Sequence, residues 1–355
     1  MGGDGVFIIA EIGKNFIQTQ DERPIEEYLV NAKVLVDAAI ESGVDAVKFQ
    51  THELEDEQLN LQVVSPHFKG SDRYSWIKRN MESTPDSFWE EIKAYCDEKG
   101  ILFFSTPMSR NAAKRLEKIG VPLWKVGSGD VQDHVTLEYL FETKKPIILS
   151  SGMVSLRELD EVIAHVKQGG APLVVLYCIS QYPCPPEYFN LATMEHLIEK
   201  YPDVVIGFSD HSVDGHEVDL AAVKLGAKVI EKHFSLSRDL WGADHKSSIT
   251  PSEMKAMVEA IRSGEYKDVD VSAYYGDKER ELEGAENQFR PYFNKALMAG
   301  EDIPEGTVLT SQMLFAMRPM LYAGGLPAHE LKAVVGKKVK RGLSKYDPIT
   351  EDLLE

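Results

Sequence analysis

The sequence predicts an α/β protein, a (β/α)8 TIM barrel followed by a small β-rich C-terminal domain. Eight short apolar runs alternate with segments of helical periodicity between residues 6 and 262. Continuous apolar runs are typical of parallel strands that are buried on both faces. Eight such units in about 250 residues fit a closed barrel better than an open doubly wound sheet. After Ile261 the alternation of apolar runs and helical segments ends and the sequence becomes polar and charged, which indicates the additional domain.

The eight apolar runs are the predicted barrel strands. They cover residues 6–12, 46–50, 101–105, 123–126, 146–150, 173–178, 204–208 and 229–233. Amphipathic helices are predicted at 26–42, 88–99, 156–167 and 218–225 from their apolar spacing. Two capping boxes, Ser155 with Glu158 and Thr250 with Glu253, mark further helix starts, because this residue pair satisfies free N–H groups of a first helical turn.

Three regions follow from this pattern. Residues 1–265 form the predicted barrel, residues 266–290 are polar and charged and are predicted to be a linker, and residues 291–355 form the small domain. Two similar phrases, at 301–313 and 342–354, indicate a weak internal repeat in that domain.

Composition narrows the classes of partner. The net charge of −18 over 355 residues disfavours nucleic acid and anionic membranes, which need a basic surface. An anionic small substrate stays possible, since a few lysines inside a cleft can outweigh the surface charge. Cys96, Cys178 and Cys184 do not have the spacing of a disulfide framework or a zinc site. No apolar run approaches the roughly 18 residues of a membrane span, and no signal-peptide pattern is present, so we expect a cytoplasmic protein.

Polar groups stand at the end of every predicted strand, where TIM barrels carry their active sites. Two ammonium groups and four hydroxyls among them suit a ligand that bears both a phosphate and a carboxylate. This predicted anion site consists of Lys48, Lys125, Ser128, Ser150, Ser180 and Ser209.

His211 and His233 end neighbouring strands and form a candidate metal site, with Glu11 and Asp210 expected nearby. Imidazole suits zinc, iron, copper or nickel, and also manganese when oxygen ligands complete the shell. Either histidine alone would be interpreted as a hydrogen-bonded core residue; the pair favours metal binding.

Six phrases in this order resemble the sialic acid synthase family, which includes the N-acetylneuraminate, legionaminate and pseudaminate synthases. They are Ala10-Glu-Ile-Gly13, Val47-Lys-Phe-Gln50, Lys125-Val-Gly-Ser-Gly129, Ile206-Gly-Phe-Ser-Asp-His211, Glu231-Lys-His-Phe234 and Gly242-Ala-Asp-His245. The resemblance extends over nearly the whole chain, and residues 291–355 resemble the antifreeze-like (SAF) domain of that family.

The resemblance implies an enzyme that condenses phosphoenolpyruvate with an amino-sugar aldehyde. The implied phosphoenolpyruvate residues are the anion site together with Gln50 and Tyr182. His211 and His233 would bind a divalent cation, typically Mn²⁺, with Mg²⁺ or Co²⁺ possible. Glu11, Asp244 and Arg318 would contact the sugar, and Glu11, Lys125 and Asp130 are the candidate catalytic residues. A homodimer that exchanges its SAF domains is also implied.

This chain departs from the family pattern at several sugar-facing positions. Phe16 and Ile17 follow Asn15 where the family usually has a histidine after the asparagine, Ser71 stands nearest to a usual asparagine, and Asp130 replaces a glutamate. Phe16 and Ser71 are therefore candidate specificity positions, and the acceptor need not be N-acetylmannosamine itself.

Three alternatives remain open. A synthase of the octulosonate or heptulosonate phosphate kind would need further cations for a sugar phosphate, and the barrel motifs show no clear second basic cluster. A metal-dependent hydrolase barrel would commonly begin with His-x-His, where this chain has Glu11. A catalytically silent sugar-binding homologue is the third.

Overall fold

The barrel consists of eight parallel strands in the computed structural model, which describes residues 5–66, 68–280, 282 and 284–355. The barrel strands are β1 (Phe7–Gly13), β2 (Ala46–Thr51), β5 (Leu102–Pro107), β6 (Trp124–Val126), β7 (Ile147–Ser150), β8 (Leu173–Cys178), β9 (Val205–Asp210) and β10 (Val229–His233), and a hairpin of β3 (Val64–Ser65) and β4 (Phe68–Asp72) follows β2. Hydrogen bonding runs in the order β5-β2-β1-β10-β9-β8-β7-β6, and β5 lies against β6. The predicted barrel and its eight strands are confirmed, while residues 1–4, 67, 281 and 283 lie outside the described residues.

Helices surround the barrel. They are α1 (Ile25–Glu41), α2 (Leu54–Glu57), α3 (Arg73–Ser83), α4 (Asp86–Lys99), α5 (Arg110–Ile119), α6 (His134–Glu142), α7 (Leu156–Gly169), α8 (Leu191–Lys200), α9 (Glu217–Lys224), α10 (Pro251–Ser263), α11 (Ser272–Tyr275) and α12 (Gly284–Phe293). Both predicted capping boxes form, at the starts of α7 and α10. Within the described residues no helix combines the length and the hydrophobicity that crossing a bilayer requires.

The interior of the barrel is apolar toward the amino ends of the strands. Ile9, Phe104, Ile148 and Leu176 pack there in one buried cluster, which closes that end of the barrel. Side chains alternate between the two faces of a strand, so the polar residues at the carboxyl ends divide between the barrel interior and the surrounding helices.

The C-terminal domain pairs β11 (Ala296–Ala299) with β12 (Leu314–Met317) and carries the short helices α13 (Met320–Ala323) and α14 (Leu331–Val334). It has a separate apolar core, which Val135 of α6 joins from the barrel. Arg110 of α5 donates hydrogen bonds to the backbone carbonyls of Ser311, Gln312 and Leu314. We call this domain the cap, because these contacts hold it over the carboxyl ends of the strands.

The described part of the predicted linker is packed rather than extended. Tyr266, Val269, Val271 and Tyr274 contact the main barrel core, and α11 and α12 lie within this region. Polar composition suggested a linker because the few apolar side chains are spaced among many charged ones.

Lys232 lies on the outer face of β10 and forms a buried ion-pair network. Its ammonium group contacts Asp210 of β9 and lies 2.8 Å from an Asp219 carboxylate oxygen on α9. All three side chains are fully buried. Burial raises the pKa of Asp219 to about 7 even though Lys232 opposes this shift, so the carboxylates depend on Lys232 for compensation.

We expect Lys232→Met to lower the free energy of unfolding by about 3–5 kcal/mol, because it leaves buried carboxylates without their cation. Urea denaturation measures this change. Lys255→Met is the matched control: Lys255 is exposed on α10 and lies 4.0 Å from the exposed Glu259, so its loss should change stability by less than about 1 kcal/mol. Equal effects in the two variants would contradict a structural role for the network.

Candidate active site

A single cleft at the carboxyl ends of the strands gathers nearly all the predicted site residues. Its lining includes Glu11, Lys48, Gln50, Lys125, Ser128, Asp130, Ser150, Tyr182, Ser209, His211, His233, Asp244 and Arg318. Eleven of these follow or end barrel strands, whereas Asp244 lies on the loop after β10 and Arg318 belongs to the cap. The structure thus brings together residues that are scattered over most of the chain.

Lys48 lies at the centre of a buried charge network. Its Nζ atom is 2.7 Å from Glu11 Oε2 and 3.5 Å from Glu231 Oε1. Burial alone would lower the pKa of Lys48, but the two carboxylates raise it above its usual value. Burial has the opposite effect on the carboxyl group of Glu11 and raises its pKa. Lys48 and the Gln50 amide oppose this shift, and the amide donates a 2.7 Å hydrogen bond to Glu11 Oε1. Lys48 is therefore held as a cation in the cleft.

Lys125 is the second buried ammonium group. It donates a 2.7 Å hydrogen bond to Ser150 Oγ and lies 3.6 Å from Glu231 Oε1. Burial lowers the pKa of Lys125, and Glu231 opposes the shift. The two lysines together hold the pKa of Glu231 below its usual value, although burial acts in the opposite direction. Glu231 thus contacts both lysines, and Glu11 contacts Lys48 as well. Among the described residues Lys125 has Glu231 as its single ion-pair partner, which leaves it able to attract a further anion.

The strand-end hydroxyls lie beside these cations. Ser209 Oγ is 3.3 Å from Glu231, and Ser128 Oγ is 3.6 Å from Cys178 Sγ. A Cβ atom added at Gly152 would come within 2.3 Å of Ser180 Oγ and 2.7 Å of Ser128 Oγ, so glycine is required for these hydroxyls to approach. Ser180 is fully buried and is not among the lining residues; the structure places it behind the cleft wall.

The two predicted metal-binding histidines are neighbours, with ring centroids 5.4 Å apart. His211 Nδ1 donates a 2.8 Å hydrogen bond to the Ile179 carbonyl, which leaves Nε2 as its basic nitrogen, an arrangement typical of metal ligands. His233 Nδ1 is buried without a hydrogen-bond partner among the described residues. Burial lowers the pKa of His233 to about 3. Burial also acts to lower the pKa of His211, but Cys178, the Ile179 carbonyl and Asp210 raise it above its usual value. The arrangement fits two imidazole ligands for a divalent cation, of which His233 is already neutral and His211 would give up its second proton on binding the ion.

Asp210 does not join the histidines. Its side chain contacts Lys232 and Ser212 on the outer face of the barrel, so the expectation that it lies near the metal site is wrong. Asp210 precedes His211 directly, and alternation along the strand directs it to the opposite face.

The cap reaches the cleft through Arg318. This buried guanidinium contacts Asp130, and Lys295 Nζ lies 2.8 Å from Asp130 and 2.8 Å from Asp133. The Arg318 backbone N–H donates to the Glu57 carbonyl, and its carbonyl accepts from the Leu59 N–H. Arg318 thus lies in the cleft of its own chain, fixed by side-chain and backbone contacts.

Sequence reasoning missed several cleft residues and misplaced one. Glu231 stood in a quoted motif without a role, and Lys14, Arg73 and Trp76 also line the cleft. Phe16, a predicted specificity position, is instead 1% exposed and packs against Phe49 and Phe88, so that prediction is wrong. Ser71 does line the cleft. Lys14 directly follows the first motif, which was the only local signal for it.

The cleft lies at the carboxyl ends of a TIM barrel and is closed by a small domain. It contains cations, hydroxyl groups and paired imidazoles, which together define a barrel enzyme for an anionic substrate. Comparison with known families assigns it further. Residues 35–271 match the NeuB family, and residues 294–355 match the SAF domain. The chain belongs to the NeuB family, and it is an enzyme of the synthase type found there.

Its relatives include synthases of several nonulosonic acids. The chain is 34% identical to human N-acetylneuraminate-9-phosphate synthase, over 98% of this chain and 92% of that protein. It is 32% identical to the N,N'-diacetyllegionaminic acid synthase of Legionella pneumophila, over 95% and 91% of the two chains. The crystal structure of the spore coat polysaccharide biosynthesis protein SpsE from Bacillus subtilis superposes with a TM-score of 0.81 at 28% identity, covering 100% of this chain and 96% of that one.

Proposed function

We propose that this enzyme condenses phosphoenolpyruvate with an amino-sugar aldehyde of the N-acetylmannosamine type, giving a nonulosonic acid and phosphate. The observation that carries the proposal is the pairing of Lys48 and Lys125 around a single Glu231, next to two imidazoles. The names of the relatives support the same reaction class.

Phosphoenolpyruvate would bind to the two lysines and the neighbouring hydroxyls. Its phosphate and carboxylate match the two ammonium groups, of which Lys125 has only the shared Glu231 as an ion-pair partner among the described residues. Ser128, Ser150 and Ser209 supply hydroxyl donors. Fixed cations and donors of this kind orient a substrate and stabilise developing charge without reorganising during the reaction.

The reaction forms one C–C bond, and at C2 it replaces the C–O bond to phosphate with a C–O bond to the oxygen of water. C3 of phosphoenolpyruvate attacks the aldehyde carbon, whose oxygen takes up a proton; water adds at C2 and loses a proton, and phosphate leaves with the C2–O bond electrons. We assign the proton transfers to Glu11, because burial raises its pKa and it lies in the cleft. Asp130 is held by Arg318 and Lys295, so we assign it to positioning the cap.

His211 and His233 would hold a divalent cation, Mn²⁺ by family resemblance. When bound, this ion supplies a Lewis acid for the aldehyde oxygen. The Tyr182 ring packs against His211 with ring centroids 4.1 Å apart and planes tilted by 43°, and so restricts the orientation of that imidazole.

The decisive experiment measures phosphate release and product mass with phosphoenolpyruvate, Mn²⁺ and a panel of amino sugars, free mannose and sugar phosphates. We expect turnover with an amino sugar, and Lys125→Ala should lower kcat/KM by at least about 10³-fold through the loss of an anchoring cation. Lys114→Ala, at an exposed position of α5, is the control and should retain activity. Wild-type turnover by Lys125→Ala would remove this lysine from the mechanism. Turnover of a sugar phosphate without an amino group would favour the octulosonate type of synthase.

Metal binding is tested directly by titrating Mn²⁺ into the protein and following its electron paramagnetic resonance signal. We expect one bound ion per chain, weakened at least tenfold by His211→Ala or His233→Ala, because each removes one ligand. His196→Ala, on α8, is the control. Unchanged Mn²⁺ affinity in both cleft variants would contradict the site.

We also propose that two chains form a homodimer with exchanged caps, as the family resemblance implies. The cytoplasmic location stays a prediction. Coexpression of Lys125→Ala and Arg318→Ala chains tests exchange. Each chain alone should be inactive, whereas an exchanged dimer places an intact Arg318 cap over an intact Lys125 barrel and should restore about a quarter of wild-type activity. Absence of restoration in a confirmed heterodimer would show that each cap serves its own barrel, the arrangement of Arg318 in the described chain.

A further inference from the structure

Two cations of the cleft differ from the others because no carboxylate of the described residues lies within ion-pairing distance of them. Lys48 pairs with Glu11, Lys125 with Glu231, and Arg318 with Asp130. By contrast, the side chains of Lys14 and Arg73 form no ion pair or hydrogen bond within the described ranges. Their contacts are with rings: Lys14 Nζ lies 5.7 Å from the Trp76 ring centroid, and the Arg73 guanidinium lies 4.3 Å from that of Phe293.

These two side chains and Trp76 form what we call the rim cluster. Arg73 is 8% exposed and its Nε atom is buried without a partner, and the same holds for Nε1 of Trp76, which is 4% exposed. All three residues line the cleft. Arg73 is buried, whereas Lys14 is partly exposed at the cleft. Burying a cation without a partner is costly, so a buried guanidinium beside an ammonium group and an unpaired N–H donor is suited to an anion that arrives with a ligand.

The charges that act most strongly on the rim cluster belong to residues assigned to the sugar, not to the phosphoenolpyruvate lysines. Burial lowers the pKa of Lys14, with Asp244 as the strongest opposing charge. Burial and, to a smaller extent, the nearby Arg318 lower the pKa of Arg73 to about 10. Asp244 and Arg318 are the residues assigned to the sugar, whereas Lys48 and Lys125 respond mainly to Glu11 and Glu231.

Resting on the proposed function, we propose that Lys14 and Arg73 bind an acidic group, a phosphate or a carboxylate, on the amino-sugar acceptor, with the Trp76 N–H as an additional donor. A planar guanidinium and an ammonium group together suit either oxyanion. The rim cluster is thus a specificity determinant for an anionic acceptor. The sequence did not show a second basic cluster because Lys14 follows β1 while Arg73 begins α3, after the β3–β4 hairpin.

Calorimetric binding of unreactive, reduced acceptors tests this assignment, with saturating phosphoenolpyruvate present to fill the Lys48–Lys125 site. The probes are N-acetylmannosaminitol, its 6-phosphate and its 6-carboxylate. We expect at least one acidic probe to bind at least tenfold more tightly than the neutral one, and their order identifies phosphate or carboxylate as the preferred group. Lys14→Met and Arg73→Met should each lower the ratio of acidic-probe to neutral-probe affinity at least tenfold. The affinity for the neutral probe should change less than twofold.

Two controls keep the outcomes separate. Lys69→Met alters an exposed lysine of β4 and should leave all affinities unchanged; Arg73→Lys retains a cation and should retain part of the preference if Arg73→Met folds poorly. Equal binding of neutral and acidic probes, or a preference that survives both methionine variants, would overturn the proposal. Turnover of the unreduced sugars is measured in parallel: no turnover with any of them would reject the synthase reaction, while the binding data still decide the anion subsite.

Discussion

The charge network of Glu11, Lys48, Glu231 and Lys125 is the constraint on which the site depends. Four ionisable side chains are almost fully buried in the barrel mouth, where an unpaired charge would be strongly destabilising. Mutual pairing makes their burial tolerable, and the barrel supplies the pairing because β1, β2, β6 and β10 each direct one of these side chains inward. Strand register and electrostatics are therefore coupled: a shift of one residue in any of these strands would turn its charged side chain away from the barrel interior and out of the network.

The cap is attached by the same kind of interaction. Asp130 at the barrel mouth contacts both Arg318 and Lys295 of the C-terminal region, and Asp133 shares Lys295. Because Arg318 is fixed by Asp130 and by two backbone hydrogen bonds near Glu57, the cap completes the cleft with a group of defined position. Loss of the cap would expose two buried aspartates without cations, so barrel and cap depend on each other.

The sequence predicted the barrel well because its signals are local. Continuous apolar runs, their regular spacing and two capping boxes each depend on a few adjacent residues, and the strand-end rule then located most of the cleft. The direction in which each side chain points was harder to predict. Strand alternation explains why Asp210 and Lys232 face outward while His233 faces inward, but the turn after β1 follows no such period. Phe16 therefore enters the core while Lys14, two residues earlier, reaches the cleft. The position of Arg73 depends on how a long loop folds, and no local sequence pattern predicts that.

The paired and unpaired cations have different consequences for catalysis. An anion that draws Lys48 away from Glu11 removes the strongest interaction that opposes the effect of burial on this carboxyl group. The pKa of Glu11 must then rise further, because its charged form has lost compensation in a site that stays dry. Glu11 thus becomes a better proton acceptor when phosphoenolpyruvate binds and its anionic group takes Lys48 as its partner. The unpaired rim cations impose no such coupling, since their engagement breaks no existing ion pair. Substrate charge at the centre of the barrel changes the reactivity of the site, whereas charge at the rim changes affinity alone.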